Sequence, residues 1–152
     1  MSKLSTLFYM PINAWGNIIL LQHSSPPWYS VRAMVQHMPT ILLVEQDDAT
    51  RELYQRELGR RFRVVAINDV EQTLVLLQNE QFDALVLEPT VSNGAGWSVL
   101  ETLQASPPRA PVRIVLCSAL DERRRGMNLG AAAYLVKPVL PAALLSTLDQ
   151  IL

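Results

Sequence analysis

Several apolar runs in this chain end on groups that could do chemistry. Ala84-Leu85-Val86-Leu87 is followed by Glu88, and Ile41-Leu42-Leu43-Val44 by Glu45, Gln46 and Asp47. The run Val112-Arg113-Ile114-Val115-Leu116-Cys117 leads into Ser118, and Tyr134-Leu135-Val136 into Lys137-Pro138. A carboxylate is costly inside a sheet. A strand that ends on one therefore delivers it to a site at the sheet's carboxyl edge. Glu88 and Lys137 carry opposite charge, and the plainest chemistry between them is an ion pair. Lys137→Met should therefore destabilise less than Glu88→Ala, which strands a partly buried ammonium.

Other chemistries find little support. His23 and His37 lack metal-ligand spacing with Cys117. No nucleophile, base and acid fall into a triad pattern, so the chain is not expected to be an enzyme. Gly94-x-Gly96 is too short for a dinucleotide loop and follows Pro89 rather than opening directly from a strand. Cys117 sits within an apolar run and reads as a buried small hydrophobe. Arg123-Arg124-Arg125 reads as a solvated helix face.

The elements that must position these residues follow from periodicity. From Thr40 onward, short apolar runs alternate with helical periods. Strands are predicted at Thr40–Val44, Arg63–Ile67, Ala84–Glu88, Val112–Cys117 and Ala133–Val136. Asp47 or Asp48 caps a first helix with Leu53, Tyr54 and Leu58 on one face, ending near Gly59. Asp69 starts a second helix, carrying Val70, Leu74 and Leu77, with Gln72 completing a capping box. Asn93-Gly94 supplies turn chemistry before a third helix from Gly96, with Trp97, Leu100 and Leu103 inward. Asp121 caps a short fourth helix to about Leu129. Pro141 opens a fifth at its N1 position, running to Leu152. Continuous apolar strands alternating with helices indicate an α/β fold, a doubly wound five-stranded parallel sheet.

With 152 residues, 49% of them hydrophobic, the chain can bury a real core. A formal net charge of −1 gives no basic field for nucleic acid or anionic membrane. No stretch is long and apolar enough to span a bilayer, and no signal peptide is evident. A single cysteine fits a reducing, cytoplasmic setting.

Residues 1–39 break the alternation and form an N-terminal extension to the domain 40–152. They hold one predicted strand, Trp15–Gln22, then Ser24-Ser25-Pro26-Pro27-Trp28. This pattern weakly resembles the closing strand of a GAF sensor domain. An ordered extension, or upstream sequence ahead of a true start at Met38, are the competing readings.

The order of strand-end residues from Thr40 to Leu152 resembles the receiver domain of bacterial two-component response regulators, whose fold is flavodoxin-like (βα)5. The resemblance implies that Glu88 stands where the family has its phosphoacceptor aspartate. It places Glu45 and Gln46, with Asp47 next, where acidic residues bind magnesium. It assigns Ser118, Tyr134 and Lys137 to the switch hydroxyl, the switch aromatic and the phosphoryl-contacting lysine, with the Lys137-Pro138 bond often cis in the family. Sliding the register to make Asp47-Asp48 the metal pair would put Glu45 and Gln46 into the strand, against the apolar run.

The departures matter. Gln46 is neutral, and Glu45 and Glu88 are each a methylene longer than aspartate. In-line attack on a phosphoryl donor tolerates little displacement. The expectation is a pseudo-receiver, with no metal (Glu45 and Glu88 the residual candidates) and no cofactor. In it Glu88 either neutralises Lys137 or imitates an aspartyl phosphate. Implied partners are a histidine kinase or an effector protein, or a second copy through the face of helix four, strand five and helix five. There Ala131-Ala132-Ala133, Leu140, Ala142 and Ala143 form an apolar patch. The alternatives are a working phospho-receiver fed by a histidine kinase and a small-ligand-binding flavodoxin-like module.

Overall fold

In a computed structural model of the chain, the structure describes residues 38–108 and 110–152. The predicted strand Trp15–Gln22 and the GAF-like pattern lie outside the described residues. Five parallel strands form one sheet in the order β2-β1-β3-β4-β5. They are β1 (Thr40–Val44), β2 (Arg63–Ile67), β3 (Ala84–Leu87), β4 (Arg113–Ser118) and β5 (Ala133–Val136). The helices between and after them are α1 (Asp48–Leu58), α2 (Val70–Asn79), α3 (Gly96–Ala105), α4 (Arg123–Asn128) and α5 (Pro141–Ile151). None of these helices is long and apolar enough to cross a membrane.

The strands are apolar throughout because both faces are covered. Leu42, Val44, Leu85, Leu87, Ile114, Leu116 and Tyr134 pack against Val70 and Leu77 of α2 and Trp97 and Leu100 of α3. Their neighbours Ile41, Leu43, Ala84, Val86, Val115 and Cys117 face Tyr54 and Leu58 of α1 and Leu144 and Leu148 of α5. This period-2 division decides where each strand-end group goes. Glu45 continues Ile41-x-Leu43, Glu88 continues Ala84-x-Val86, and Lys137 continues Ala133-x-Leu135. All three therefore emerge on the α1/α5 side of the sheet. Ser118 and Tyr134 belong to the other face.

The sheet's hydrogen bonding runs one residue beyond the strands and fixes those ends. Glu45 N donates to Ile67 O at 3.1 Å, Glu88 N to Val44 O at 2.9 Å and Lys137 N to Ser118 O at 2.8 Å.

Several local expectations change. Glu88 lies one residue past β3, and β4 runs Arg113–Ser118, so Ser118 is within the strand. Leu53 is exposed, because the face that buries Tyr54 and Leu58 at i and i+4 turns residue 53 outward. Asp47 caps α1, accepting from Thr50 N at 2.8 Å. Gly59 ends α1 with right-handed φ −61 instead of a left-handed cap, and a Cβ there would sit 2.8 Å from Gln55 O. Asp69 accepts from Gln72 N at 2.7 Å, which is one arm of the capping box.

The start of α4 departs most. The N-cap position is Glu122, one residue later than expected, and its amide donates to the Tyr134 hydroxyl at 3.1 Å, while the Asp121 carboxylate accepts from Arg123 N at 3.4 Å. The three arginines of α4 are exposed, as expected, and two of them also make specific contacts. Arg123 Nη1 donates to Tyr134 O at 2.8 Å, and the Arg125 guanidinium lies 4.1 Å from the centre of the Trp97 ring. Ala131 is buried in the core and Ala133 half-buried. The apolar patch is thus confined to Ala132, Leu140, Ala142 and Ala143.

Candidate functional site

At the carboxyl edge, the alternation brings Glu45, Glu88 and Lys137 together. Lys137 Nζ lies 2.6 Å from Glu45 Oε2 and 2.6 Å from Glu88 Oε2. The expected Glu88–Lys137 pair is present, but it is half of the arrangement: one ammonium bridges two carboxylates. Both carboxylates are buried, with Glu45 3% and Glu88 5% exposed. Their remaining oxygens are also engaged. Glu45 Oε1 accepts from Asp47 N at 3.0 Å, and Glu88 Oε1 from Thr90 Oγ1 at 2.6 Å and Thr90 N at 3.3 Å. Among the described residues no buried side-chain polar atom lacks a partner.

The electrostatics follow. Burial works against the Lys137 charge, but the hydrogen bonds it donates to Glu45 and Glu88 outweigh it, and the ammonium pKa is raised. Beneath the cluster, Tyr54 donates from its hydroxyl to Val139 O at 2.8 Å, tying α1 to the segment that follows Lys137-Pro138, a cis bond. Burial pushes the Tyr54 phenol up to about 12 and the Cys117 thiol up to about 12. Cys117 is thus a buried thiol held in its protonated form.

Of the predicted acid-pocket residues, Glu45 alone joins the cluster. The Asp47 carboxylate is turned to its own helix, and its pKa is lowered chiefly by the hydrogen bonds from Thr50. The Gln46 amide oxygen reaches across to Ser92 N at 3.1 Å. An open cleft of about 530 Å³ lies above these groups, lined by Glu45, Gln46, Asp47, Asp48, Glu88 and Thr90. Thr90 was not singled out from sequence. Its signal is a hydroxyl two residues beyond a strand-end carboxylate, within reach of that carboxylate once the chain turns at Pro89.

The predicted switch pair sits on the opposite face. Ser118 is fully buried, and its Oγ accepts from Leu120 N at 3.2 Å. Tyr134 is 2% exposed, turned inward, and its hydroxyl donates to Leu120 O at 2.6 Å. The two residues therefore meet through Leu120. The Tyr134 ring fits because residue 126 is glycine: a Cβ there would lie 2.7 Å from Leu116 Cδ1 and 2.8 Å from Tyr134 Cδ2.

Known proteins resemble this chain in sequence and in fold. The model of the response regulator receiver domain family matches residues 41–149. The chain is 34% identical over 133 residues to the sensory/regulatory protein RpfC of Xanthomonas campestris pv. campestris, covering 84% of this chain and 18% of that protein. It is 29% identical over 99 residues to the transcriptional regulatory protein HprR of Escherichia coli, covering 64% of this chain and 44% of that one. The chain thus spans less than half the length of these curated relatives. Among solved structures, the chemotaxis response regulator CheY4 of Vibrio cholerae superposes with a TM-score of 0.69 at 22% identity, over 76% of this chain and 99% of that one.

Proposed function

The chain belongs to the response regulator receiver domain family, and from that premise we propose that it is an atypical receiver, signalling by protein contact without accepting phosphate. The observation that carries this reading is the closed charge arrangement of Glu45, Lys137 and Glu88. A receiver of the usual kind needs magnesium, which demands near-octahedral oxygen donors. The donor set here does not fit it. Gln46 offers a neutral amide oxygen, already used by Ser92 N. Every oxygen of Glu45 and Glu88 holds a hydrogen bond, and an ion would have to break these bonds and face the Lys137 ammonium.

A carboxylate that is fixed and neutralised is also a poor nucleophile toward a phosphoryl group. In this reading Glu88 holds Lys137 as part of the resting structure. The inward Tyr134 is set by contacts within the protein and needs no covalent trigger. The signal leaves through the surface of α4, β5 and α5, where Leu140 is 72% exposed beside the exposed Ala142 and Ala143. A kinase, an effector or a second copy of this chain is the class of partner that surface takes.

Incubation with acetyl phosphate and magnesium, followed by intact mass, tests the reading. The expected result is no phosphoryl adduct. An adduct on the wild type that disappears in Glu88→Ala would overturn the reading and make the chain a working phospho-receiver.

A further inference from the structure

The segment Val91–Gly94 between β3 and α3 stands out for its backbone. Ser92, Asn93 and Gly94 take consecutive positive φ angles of 52, 58 and 91. Asparagine and glycine tolerate this region; a serine there is uncommon and persists when its surroundings hold it. The holding contact is specific. The Ser92 amide is taken by Gln46 Oε1, a residue 46 positions earlier at the end of β1. Both Ser92 and Gln46 are exposed, and besides this contact the turn is held by backbone bonds of its own, from Gly94 N to Thr90 O at 3.0 Å and Ala95 N to Ser92 O at 3.3 Å.

The flanks, by contrast, are fixed. Val91 is fully buried. Gly96 sits so close to the preceding backbone that a Cβ would be 2.8 Å from Pro89 O. The residues free to change conformation are therefore the short stretch from Ser92 to Ala95, at the rim of the cleft lined by Gln46, Glu88 and Thr90.

We propose that Gln46 is a latch: its amide holds Ser92 in the left-handed conformation, and releasing it lets the turn relax and opens the rim of the acid cleft beside Glu88. The proposal deepens the reading above and rests on it, because it assigns to a side chain the bridging of two loops that an ion would otherwise perform. A partner that takes the Gln46 amide for itself would release the turn. Gln46 is thus a positioning residue that acts through Ser92. The conformational cost at Ser92 biases the turn toward opening once the amide is gone.

The test is solvent exchange of the Gly94 amide proton, which donates to Thr90 O at 3.0 Å across the turn, by NMR on the labelled chain. In Gln46→Ala, exchange at Gly94 should quicken about tenfold as the turn opens. In Gln46→Glu, which keeps an acceptor oxygen, it should stay near wild type. The double variant Gln46→Ala with Ser92→Gly should recover protection at Gly94, because glycine adopts the closed conformation without cost. A merely structural role for Gln46 would not produce that recovery. Unchanged exchange in Gln46→Ala, or no recovery with glycine, would overturn the latch. Magnesium titration in the same spectra separates the two readings. Saturable shifts at Glu45 and Glu88 would overturn the metal-free site and the claim that Gln46 stands in for an ion. Gly94 exchange alone decides the latch.

Discussion

Removing the lysine should hurt this protein more than removing either of its partners. With Glu88 as the sole partner, Lys137→Met would be the gentler change. With Glu45 also bound, the order reverses. The two carboxylate oxygens each lie 2.6 Å from Nζ, so they are no more than about 5 Å from each other. At that separation and an effective dielectric near 20, two unit charges repel by about 3 kcal/mol. Lys137→Met exposes that repulsion between two buried groups and should cost about 4 kcal/mol, within the range for breaking a buried pair. Glu88→Gln leaves the Lys137–Glu45 pair intact and gives up one charge-assisted hydrogen bond, about 2 kcal/mol.

The double variant, Lys137→Met with Glu88→Gln, should be more stable than Lys137→Met alone, since the second change removes one of the repelling charges. Urea unfolding at neutral pH reads all three. The Lys137→Met deficit should also shrink on acidification, as the unpaired carboxylates bind protons. A Lys137→Met variant more stable than Glu88→Gln, or a double variant worse than both, would refute the reasoning.

Three further outcomes follow from the same structure. Because the Lys137 pKa is raised, the stability difference between wild type and Lys137→Met should hold constant from neutral pH to 10.5 and decline above it, as the folded-state ammonium loses its proton; urea midpoints across alkaline buffers check this. Gly126→Ala should cost about 1–3 kcal/mol by overpacking and displace the Tyr134 ring, read as faster nitration of the Tyr134 peptide by tetranitromethane. If the α4–β5–α5 surface carries a homodimer, Leu140→Asp should shift the sedimentation coefficient from dimer to monomer and leave the urea midpoint near wild type, since that side chain is exposed.

Much of this was legible in sequence because parallel strands covered on both faces advertise themselves. Ala133–Val136 and Thr40–Val44 match residue for residue, and the apolar runs before Glu45, Glu88 and Lys137 mark all three as strand-end groups. What escaped reading depended on tertiary partners. Glu45 reads as an acid-pocket residue until the register of β1 beside β3 brings it to the same ammonium as Glu88. Arg123 and Arg125 look like solvated charges until Tyr134 and Trp97 are known to lie within reach. At the start of α4 the Glu122 amide finds its acceptor in a hydroxyl twelve residues later, a contact no local signal reveals.

The Arg125–Trp97 stack gives the molecule a built-in optical probe. The chain has three tryptophans, and Trp97 lies in the core at the join of α3 and α4. A guanidinium 4.1 Å from the ring centre perturbs the indole's excited state. The same arginine is tethered to Glu122, whose amide donates to the Tyr134 hydroxyl. With Trp15 and Trp28 changed to Phe, emission from the remaining indole would report on the β4–α4 corner without any attached label. A partner docking near α4 would then announce itself as a change in colour or lifetime, and the strength of its grip could be titrated directly in a cuvette.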